Sequence, residues 1–286
     1  MPLSLSNVAI QSFNDSFINE FQASAMLGDT CQAVYNAVGD AYKWPVQGIA
    51  EMQDRGALQS LLPASDVSYD NVVTSFTNKV LSIPVDIFQK AEINSQINIL
   101  SSLATIHASA SGRMEDQFLI DALNAAAVPA GNTIAAGGTN MTVDKLLQAS
   151  AILDENNVPM EDRYLAITPS QLQSLLNEDK TTSALYVNDR NLVDGRLMNF
   201  LGFNIYTLGN RSGVIATGTQ GGLPVAAGVR TCFAWQRSAV GRVYSITPTT
   251  EVEYSAAHSS WLTISKMRLG ASSLLDNGIV KIECAE

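Results

Sequence analysis

Acidic and amide side chains are concentrated in one short stretch of the sequence, residues 152–163, which reads ILDENNVPMEDR. Closely spaced carboxylates and amides are groups that bind hard metal ions or perform acid–base catalysis. The stretch lacks the alternating oxygen ligands and the closing glutamate of a calcium-binding loop. Asn157 suits a left-handed position after a helix and Pro159 stops its continuation, so the pattern favours a helix end before a strand. The alternative is a soluble α/β enzyme that uses the four acids of the stretch, Asp154, Glu155, Glu161 and Asp162.

The other residues that commonly carry chemistry do not form a catalytic or metal-binding motif. His107 falls on the apolar face of a predicted helix, and His258 lies far from it in the sequence with no metal-type partners at a suitable spacing. Zinc-protease, nucleophile-elbow and P-loop motifs are absent. Residues 218–222 (GTQGG) resemble a phosphate loop but lack its lysine and the helix that should follow. We therefore predict no catalytic residue, no cofactor-binding residue and no metal ligand.

The composition indicates a chain that buries a large hydrophobic core and does not bind nucleic acid tightly. Of 286 residues, 46% are hydrophobic and only 15% are charged, against roughly 25% in average soluble domains. A charge-poor surface is typical of subunits covered by neighbours, although a charge-poor monomer would give the same composition. The net charge of −10 argues against binding through phosphate neutralisation.

The sequence contains neither a membrane-spanning run of apolar residues nor a secretory signal peptide. The three cysteines are widely spaced, at Cys31, Cys232 and Cys284, which indicates free thiols in a reducing compartment. We therefore predict synthesis in a cytoplasm and no association with a membrane.

The first part of the chain predicts an N-terminal arm followed by a β-rich segment. Phe13, Phe17 and Phe21 are spaced four apart, so a helix here would place three aromatic rings on one face. Residues 41–84 alternate apolar and polar side chains, which predicts two long antiparallel strands joined by a flexible tip near residues 54–70. This segment has too few apolar residues for a core of its own, so we expect it to lie on another surface.

A long helix follows. Apolar and small residues recur in steps of four and three over 33 residues, from Ile93 to Ala125, which predicts one helix about 50 Å long. The predicted buried stripe consists of Ile93, Ile97, Leu100, Ala104, His107, Ser111, Met114, Phe118, Asp121 and Ala125.

The second half predicts an α/β segment and then mostly strands. Thr142 is a suitable N-cap for a helix over 143–156, and Thr168 with Gln171 forms a capping box after a short buried strand at 164–167. A further strand is predicted within 202–208 and a loop over 209–228. The C-terminal strands are predicted at 249–254, 261–269 and 278–284.

Several short stretches, read together with this order of elements, resemble a known family. The stretches are LLQASAILDENNVP (146–159), RYLAITP (163–169), VDG (193–195), LGFNIY (201–206), FAWQRSAVG (233–241), SWL (260–262) and RLGA (268–271). They are similar to successive segments of the major capsid proteins of tailed double-stranded-DNA phages, which share the Hong Kong 97-like fold. The short-tailed-phage forms, which have no large inserted domain, look most similar.

The resemblance implies an α+β fold made of an N-terminal arm, an extended β-loop, a long spine helix with a peripheral β-sheet, and a central axial α/β domain. The implied boundaries are an N-terminal arm at 1–40, an extended β-loop at 41–84, a peripheral domain with the spine helix at 85–130, an axial domain at 131–228, and the C-terminal strands of the peripheral domain at 229–286.

The resemblance also implies a function. The chain would be a structural, non-enzymatic major capsid protein that self-assembles into hexamers and pentamers of an icosahedral head. The head would enclose double-stranded DNA through loose, non-specific contact. The implied partners are a separate scaffolding protein, a portal and a possible decoration protein, with assembly in the host cytoplasm and a final location in the virion. A cellular nanocompartment shell with the same fold is the nearest alternative, and the soluble α/β enzyme is a more distant one.

Overall fold

The computed structural model of the chain describes residues 24–54, 56, 65–86, 99–178, 199–209, 221–256 and 259–286. Within these residues the helices are α1 (Ile99–Ala125), α2 (Val143–Glu155) and α3 (Pro169–Leu176). The strands are β1 (Gln32–Val34), β2 (Ala41–Gln47), β3 (Tyr69–Ser75), β4 (Thr77–Asp86), β5 (Thr133–Ile134), β6 (Arg163–Ile167), β7 (Asn199–Phe200), β8 (Phe203–Thr207), β9 (Val225–Ala226), β10 (Val229–Gln236), β11 (Val240–Ser255), β12 (Ser260–Ser273) and β13 (Ile279–Ala285). This mixture of helices and sheets confirms the predicted α+β class.

The largest sheet has seven strands and forms the main core. Its order is β5–β13–β10–β6–β8–β7, and β9 pairs with β10 at one end. β6 and β8 run parallel, and α3 lies between them in the sequence, as a parallel crossover requires. Leu165, Phe233 and Trp235 are completely buried in this sheet. Burying each such side chain contributes about 1.5–3 kcal/mol, so this layer supplies much of the stability.

A second sheet of four strands, in the order β1–β11–β12–β4, supports the long helix. β11 and β12 form a long hairpin, with register shifts between Tyr244 and Thr249. Met114 and Phe118 of α1 pack against a small cluster of Tyr244, Met267 and Leu269 on this sheet. The helix therefore lies across the hairpin, with its C-terminal end directed into the main core.

The predicted stripe of α1 is only partly buried. Its members Ala104, Asp121 and Ala125 are exposed, whereas Leu119, Ile120 and Leu123, outside the stripe, are buried. The reason is that the two halves of the helix pack on different partners, so its apolar face changes direction along the axis. The predicted start of the helix at Ile93 lies outside the described residues.

The predicted antiparallel pair within 41–84 is confirmed as β2 and β3, with Trp44 opposite Val72. The predicted second strand is divided into two strands, however. Phe76 interrupts it, and β4 leaves the pair to join β12 in the four-stranded sheet. Residues 41–54, 56 and 65–75 therefore form a separate two-stranded unit, which we call the ribbon.

The strands after residue 229 divide between the two sheets. β11 and β12 contain the predicted strands at 249–254 and 261–269 and are longer than predicted. β10 pairs with β6 and β13 in the seven-stranded sheet. β10 is buried from Cys232 to Gln236, so it needs cover on both faces, which a central position in the larger sheet provides.

The predicted caps of the helices α2 and α3 are confirmed. The Thr142 side chain accepts a hydrogen bond from the Lys145 backbone nitrogen at the start of α2. Asn157 has a positive φ of 56° just after that helix. The capping box of Thr168 and Gln171 starts α3, with Pro169 as its first residue.

Candidate assembly surfaces and the contacts that position them

Arg163 makes the acidic stretch a structural joint. Its guanidinium is buried and lies 2.7 Å from the Asp154 carboxylate. It also donates hydrogen bonds to the carbonyl oxygens of Pro159 at 2.9 Å and Val158 at 2.6 Å. One cation thus connects the end of α2, the turn and the start of β6. The predicted helix end before a strand is confirmed.

The amides of the same stretch brace α2 against the C-terminal part of the chain. The Asn156 side chain donates to Asn132 Oδ1 and to the Asn277 carbonyl oxygen, both at 3.2 Å. Asn132 in turn donates to the Ile279 carbonyl oxygen at 3.1 Å. The four acids considered for an enzyme are exposed, and none of them lines the groove beside α1 or the smaller cavity near Gln117 and Asn124.

His107 is completely buried and lies against the four-stranded sheet. Its Nε2 is 3.0 Å from Thr263 Oγ1, while Nδ1 has no hydrogen-bond partner. Burial lowers the pKa of His107, because desolvation disfavours the imidazolium. The predicted packed, hydrogen-bonded histidine is confirmed. His258 and residues 218–220 of the predicted glycine loop lie outside the described residues.

We expect His107 to make the fold sensitive to acid. Because its folded-state pKa is depressed, the unfolded chain binds a proton that the folded chain excludes, once the pH falls below the ordinary value of about 6.5. As the pH falls from about 7 to 5, the free energy of unfolding of the wild type should therefore decrease more than that of His107→Gln. Urea unfolding at several pH values measures this. A difference that is independent of pH would contradict it.

The three cysteines lie in the interior of the subunit. The predicted free thiols are confirmed, and burial raises the pKa of Cys31, which disfavours a reactive thiolate. Among the described residues, no group of three or more His, Cys, Asp or Glu side chains could hold a metal ion. Within the same residues, no helix is long and apolar enough to cross a membrane.

The segment that precedes β1 is clamped on α1. The buried Asp116 carboxylate accepts hydrogen bonds from the backbone nitrogens of Met26 at 3.1 Å and Leu27 at 3.0 Å. A Cβ at Gly112 would lie 2.6 Å from the Ala25 nitrogen, so glycine permits this close crossing. This contact explains a glycine in the middle of a long helix.

A buried charge pair joins the same segment to β11. Arg242 donates to the Gly28 carbonyl oxygen at 2.9 Å, and its guanidinium is 3.6 Å from the Glu115 carboxylate. It also lies over the Tyr244 ring at 4.9 Å from the centroid. Burial raises the pKa of Glu115, an effect that Arg242 opposes. The start of the described chain is therefore connected to both the helix and the hairpin.

The base of the ribbon is locked on the hairpin by polar contacts and close packing. Trp44 Nε1 donates to Thr74 Oγ1 at 3.0 Å, and Thr74 Oγ1 forms a hydrogen bond with Ser272 Oγ. The Trp44 ring lies directly over Gly241, where a Cβ would approach Cζ2 to 2.7 Å. At Gly270, a Cβ would collide with the Ser75 carbonyl oxygen and lie 2.8 Å from Thr74 Cγ2.

An ion pair supports the same base from outside. Arg268 of β12 lies 2.8 Å from the Asp40 carboxylate, just before β2. Its guanidinium also lies over the ring of Phe76, the residue that separates β3 from β4, at 5.4 Å from the centroid. The ribbon therefore leaves the hairpin in a defined direction.

The far end of the ribbon is exposed and carries both apolar and acidic side chains. Ile49 is 94% exposed and Met52 is 104% exposed. Large apolar side chains are rarely this exposed in groups unless they contact a partner. We use "tip" for the described residues beyond the paired strands, 48–54, 56 and 65–68. Its acids are Glu51, Asp54 and Asp66.

A groove of about 280 Å³ opens between α1 and the strands β4 and β12. Its walls are mainly apolar, and Lys79, Arg113 and Lys266 lie among the lining residues. No acidic side chain is among the described residues that line it. Lys266 also forms an exposed ion pair with Glu251 at 3.0 Å.

Sequence reasoning missed the buried charges and the glycines at close approaches. Lys145 is buried and donates to the carbonyl oxygens of Ala136, Thr139 and Glu283, each at 2.9 Å. Nothing in the sequence separates this lysine from one on a helix surface. Gly241 and Gly270 could be found only once the ribbon had been placed on the hairpin.

A family model described as phage capsid protein matches residues 5–286 of the chain. A search of curated proteins finds no match. Many solved structures have the same fold. The capsid of the cyanophage P-SCSP1u is 17% identical, with a TM-score of 0.78 over 98% of this chain and 94% of that one.

Two further structures extend the similarity. The capsid of the Helicobacter pylori bacteriophage KHP30 is 10% identical, with a TM-score of 0.77 over 99% of this chain and 96% of that one. The capsid of a native GTA particle is also 10% identical, with a TM-score of 0.72 over 99% and 98% of the two chains. Identities this low establish the shared fold, and the predicted Hong Kong 97-like resemblance agrees with it.

Proposed function

The chain belongs to the phage capsid protein family, and from this membership we propose that it builds hexamers and pentamers of an icosahedral head around double-stranded DNA. As a member, it is a structural major capsid protein, a component of the virion that assembles with copies of itself into a shell. The nanocompartment alternative is not favoured by the family match.

The exposed ribbon is the observation that carries the proposal about assembly. It projects from the hairpin with tip side chains almost fully exposed, and its base is locked by Trp44, Thr74 and Gly270. A rigid arm with an unsatisfied apolar end is suited to lie over an adjacent subunit. The ribbon and the surface it meets differ, so the contact is head-to-tail and can close into rings.

The charge of the chain supports the proposed relation to DNA. With 17 basic and 27 acidic residues, the subunit lacks the excess positive charge needed for tight binding to phosphates. A wall of such subunits encloses DNA without adhering to it. The proposal includes no enzymatic activity, cofactor or metal.

The remaining partners are part of the same proposal. We expect a separate scaffolding protein to direct assembly in the host cytoplasm, a portal to occupy one vertex, and a decoration protein as a possible addition. The domain division also stays a proposal, with 1–40 as arm, 41–84 as extended β-loop, 85–130 and 229–286 as peripheral domain and 131–228 as axial domain. The sheet pairing supports moving β4 to the peripheral part and β10 and β13 to the axial part.

Electron microscopy of the purified chain tests the function directly. The full chain, expressed alone and with its scaffolding protein, should form closed shells of uniform size that contain rings of six and five subunits. Particles from infected cells should contain this chain and DNA. A well-folded chain that stays monomeric under all these conditions and is absent from virions would refute the proposal, and cargo protein in place of DNA would support the nanocompartment.

A further inference from the structure

Two of the three cysteines are neighbours on adjacent strands, and we propose that Cys232 and Cys284 form an oxidation site that closes to a disulfide inside the folded subunit. The oxidant is a small hydroperoxide, of which hydrogen peroxide is the simplest. Oxidation ties β13, the C-terminal strand, to β10 in the middle of the seven-stranded sheet. The site lies within a single subunit, so its chemistry does not depend on how copies assemble.

The register of the sheet places the two thiols side by side. β10 and β13 are antiparallel, with Cys232 opposite Ile282 and Arg230 opposite Cys284. Because residues two apart on a strand share a face, the two cysteines are diagonal neighbours on the same face of the sheet. The Cys232 thiol donates a hydrogen bond to the Cys284 sulfur. Both side chains are completely buried.

The surroundings make Cys284 the more reactive of the two thiols. The hydrogen bond from Cys232 lowers the pKa of Cys284, and the positive charge of Lys145 acts in the same direction, against the effect of burial. Lys145 is held beside this end of β13 by its hydrogen bond to the Glu283 carbonyl oxygen at 2.9 Å. The pKa of Cys232 is raised, because this thiol donates the hydrogen bond and is buried. Cys284 therefore ionises first, and the thiolate is the form of cysteine that oxidants attack.

The reaction consists of two balanced steps. The Cys284 thiolate attacks one oxygen of hydrogen peroxide, and the O–O bond breaks to leave a sulfenic acid on Cys284. The expelled hydroxide takes up the proton that Cys284 released and becomes water. The Cys232 sulfur then attacks the Cys284 sulfur, and the displaced hydroxyl group leaves as water with the proton of the Cys232 thiol. Two thiols and one peroxide thus become one disulfide and two molecules of water.

Burial of the pair selects the oxidant, and the position of β13 determines the effect. Because both side chains are buried, an oxidant close to the size of water reaches the sulfurs more easily than a bulky disulfide such as oxidised glutathione. A reducing cytoplasm keeps the pair as thiols, whereas a virion released into an aerobic medium meets peroxides. On its other side β13 pairs with the two-residue strand β5, at Lys281 and Ile282. A disulfide to β10 therefore strengthens the attachment of the C-terminal strand.

Mass spectrometry of the folded, full-length chain tests the proposal. The chain is purified under reducing conditions, treated with hydrogen peroxide, then unfolded and alkylated with a maleimide. The untreated chain should take up three labels, one for each cysteine, and the treated chain should take up one, at Cys31. Digestion without reduction should release two peptides joined through Cys232 and Cys284, and the midpoint of thermal unfolding should rise by roughly 5 °C. Three labels after treatment, or a loss of labels without the joined peptides, would overturn the proposal.

Two matched serine variants test the roles of the two thiols. Cys232→Ser keeps a hydrogen-bond donor beside Cys284 but removes the second thiol, so the sulfenic acid should accumulate and be trapped when the treated chain is unfolded in dimedone. Cys284→Ser should give several times less trapped product, and neither variant should form the internal disulfide. Equal trapping by the two variants would overturn the assignment of Cys284 as the thiol that is oxidised first. Failure of the unsubstituted chain to form shells would instead count against the proposed function alone.

Discussion

Replacing Gly270 with alanine is expected to prevent shell assembly while leaving the two-sheet core folded. A Cβ at this position would collide with the Ser75 carbonyl oxygen and lie 2.8 Å from Thr74 Cγ2. The Ser75 oxygen belongs to the backbone, and Thr74 Cγ2 belongs to a β-branched side chain whose hydroxyl is hydrogen-bonded to Trp44 and Ser272. Neither atom can therefore rotate away from the added methyl group. Overpacking of this kind costs about 1–3 kcal/mol, and the ribbon can relieve it by leaving the hairpin.

The displacement matters because the ribbon acts as a lever. A small change of angle where Thr74 meets Ser272 moves the tip by a much larger distance, given strands of seven residues on each side. The tip would then miss the neighbouring subunit. We therefore expect few or no closed shells by electron microscopy, together with a loss of about 1–3 kcal/mol in the free energy of unfolding.

Gly131→Ala is the matched control for this prediction. A Cβ at Gly131 would meet no heavy atom within 4 Å, and the residue does not have a positive φ. This variant should form shells in wild-type yield. Wild-type assembly by Gly270→Ala would show that the ribbon tolerates displacement at its base.

Replacing Lys145 with methionine is expected to destabilise the subunit by about 3 kcal/mol, because three charge-assisted hydrogen bonds are lost in a buried site. The ammonium group contacts the carbonyl oxygens of Ala136, Thr139 and Glu283, each at 2.9 Å. Methionine retains most of the apolar side chain, so the loss reports on the polar contacts. Urea unfolding measures the free energy change.

The contacts of Lys145 also indicate where the damage should appear. They join the loop before α2 to β13, so hydrogen exchange should increase most around residues 136–139 and in β13. Lys266→Met is the control, since its ion pair with Glu251 is exposed and contributes at most about 1 kcal/mol. If Lys145→Met lowers the free energy of unfolding by less than about 1 kcal/mol, the prediction is contradicted, and water replaces the ammonium group in the variant.

The local features of the axial segment were accessible from sequence for a clear physical reason. Thr142 and Thr168 act on backbone groups three residues away, and Pro159 blocks the helix that precedes it. Interactions over a few residues need no knowledge of the tertiary structure. The sequence therefore predicted that residues 152–163 form a helix end followed by a strand. It did not predict that Arg163 connects the two through its contacts with Asp154, Val158 and Pro159.

The direction of the helix face and the course of the strands were not accessible in the same way. Asp121 and Ala125 fit the spacing of a helix face but are exposed, whereas Leu119 and Leu123 are buried. The helical period alone does not distinguish the two pairs. Which residues are covered depends on the two different sheets under α1. Likewise, the apolar run of β10 is compatible with any buried strand, and its place between β6 and β13 follows from long-range pairing.

The sequence by itself determined the α+β class, the helix caps, the ribbon strands and, by resemblance, the capsid family, because these follow from short-range patterns and the order of elements. Only the tertiary structure decided how Gly270 and Trp44 hold the ribbon, which partners Lys145 and Arg242 contact in the interior, and that the groove beside α1 has mainly apolar walls. Those features join residues that are distant in the chain, and their energies depend on distances and burial that exist only after folding.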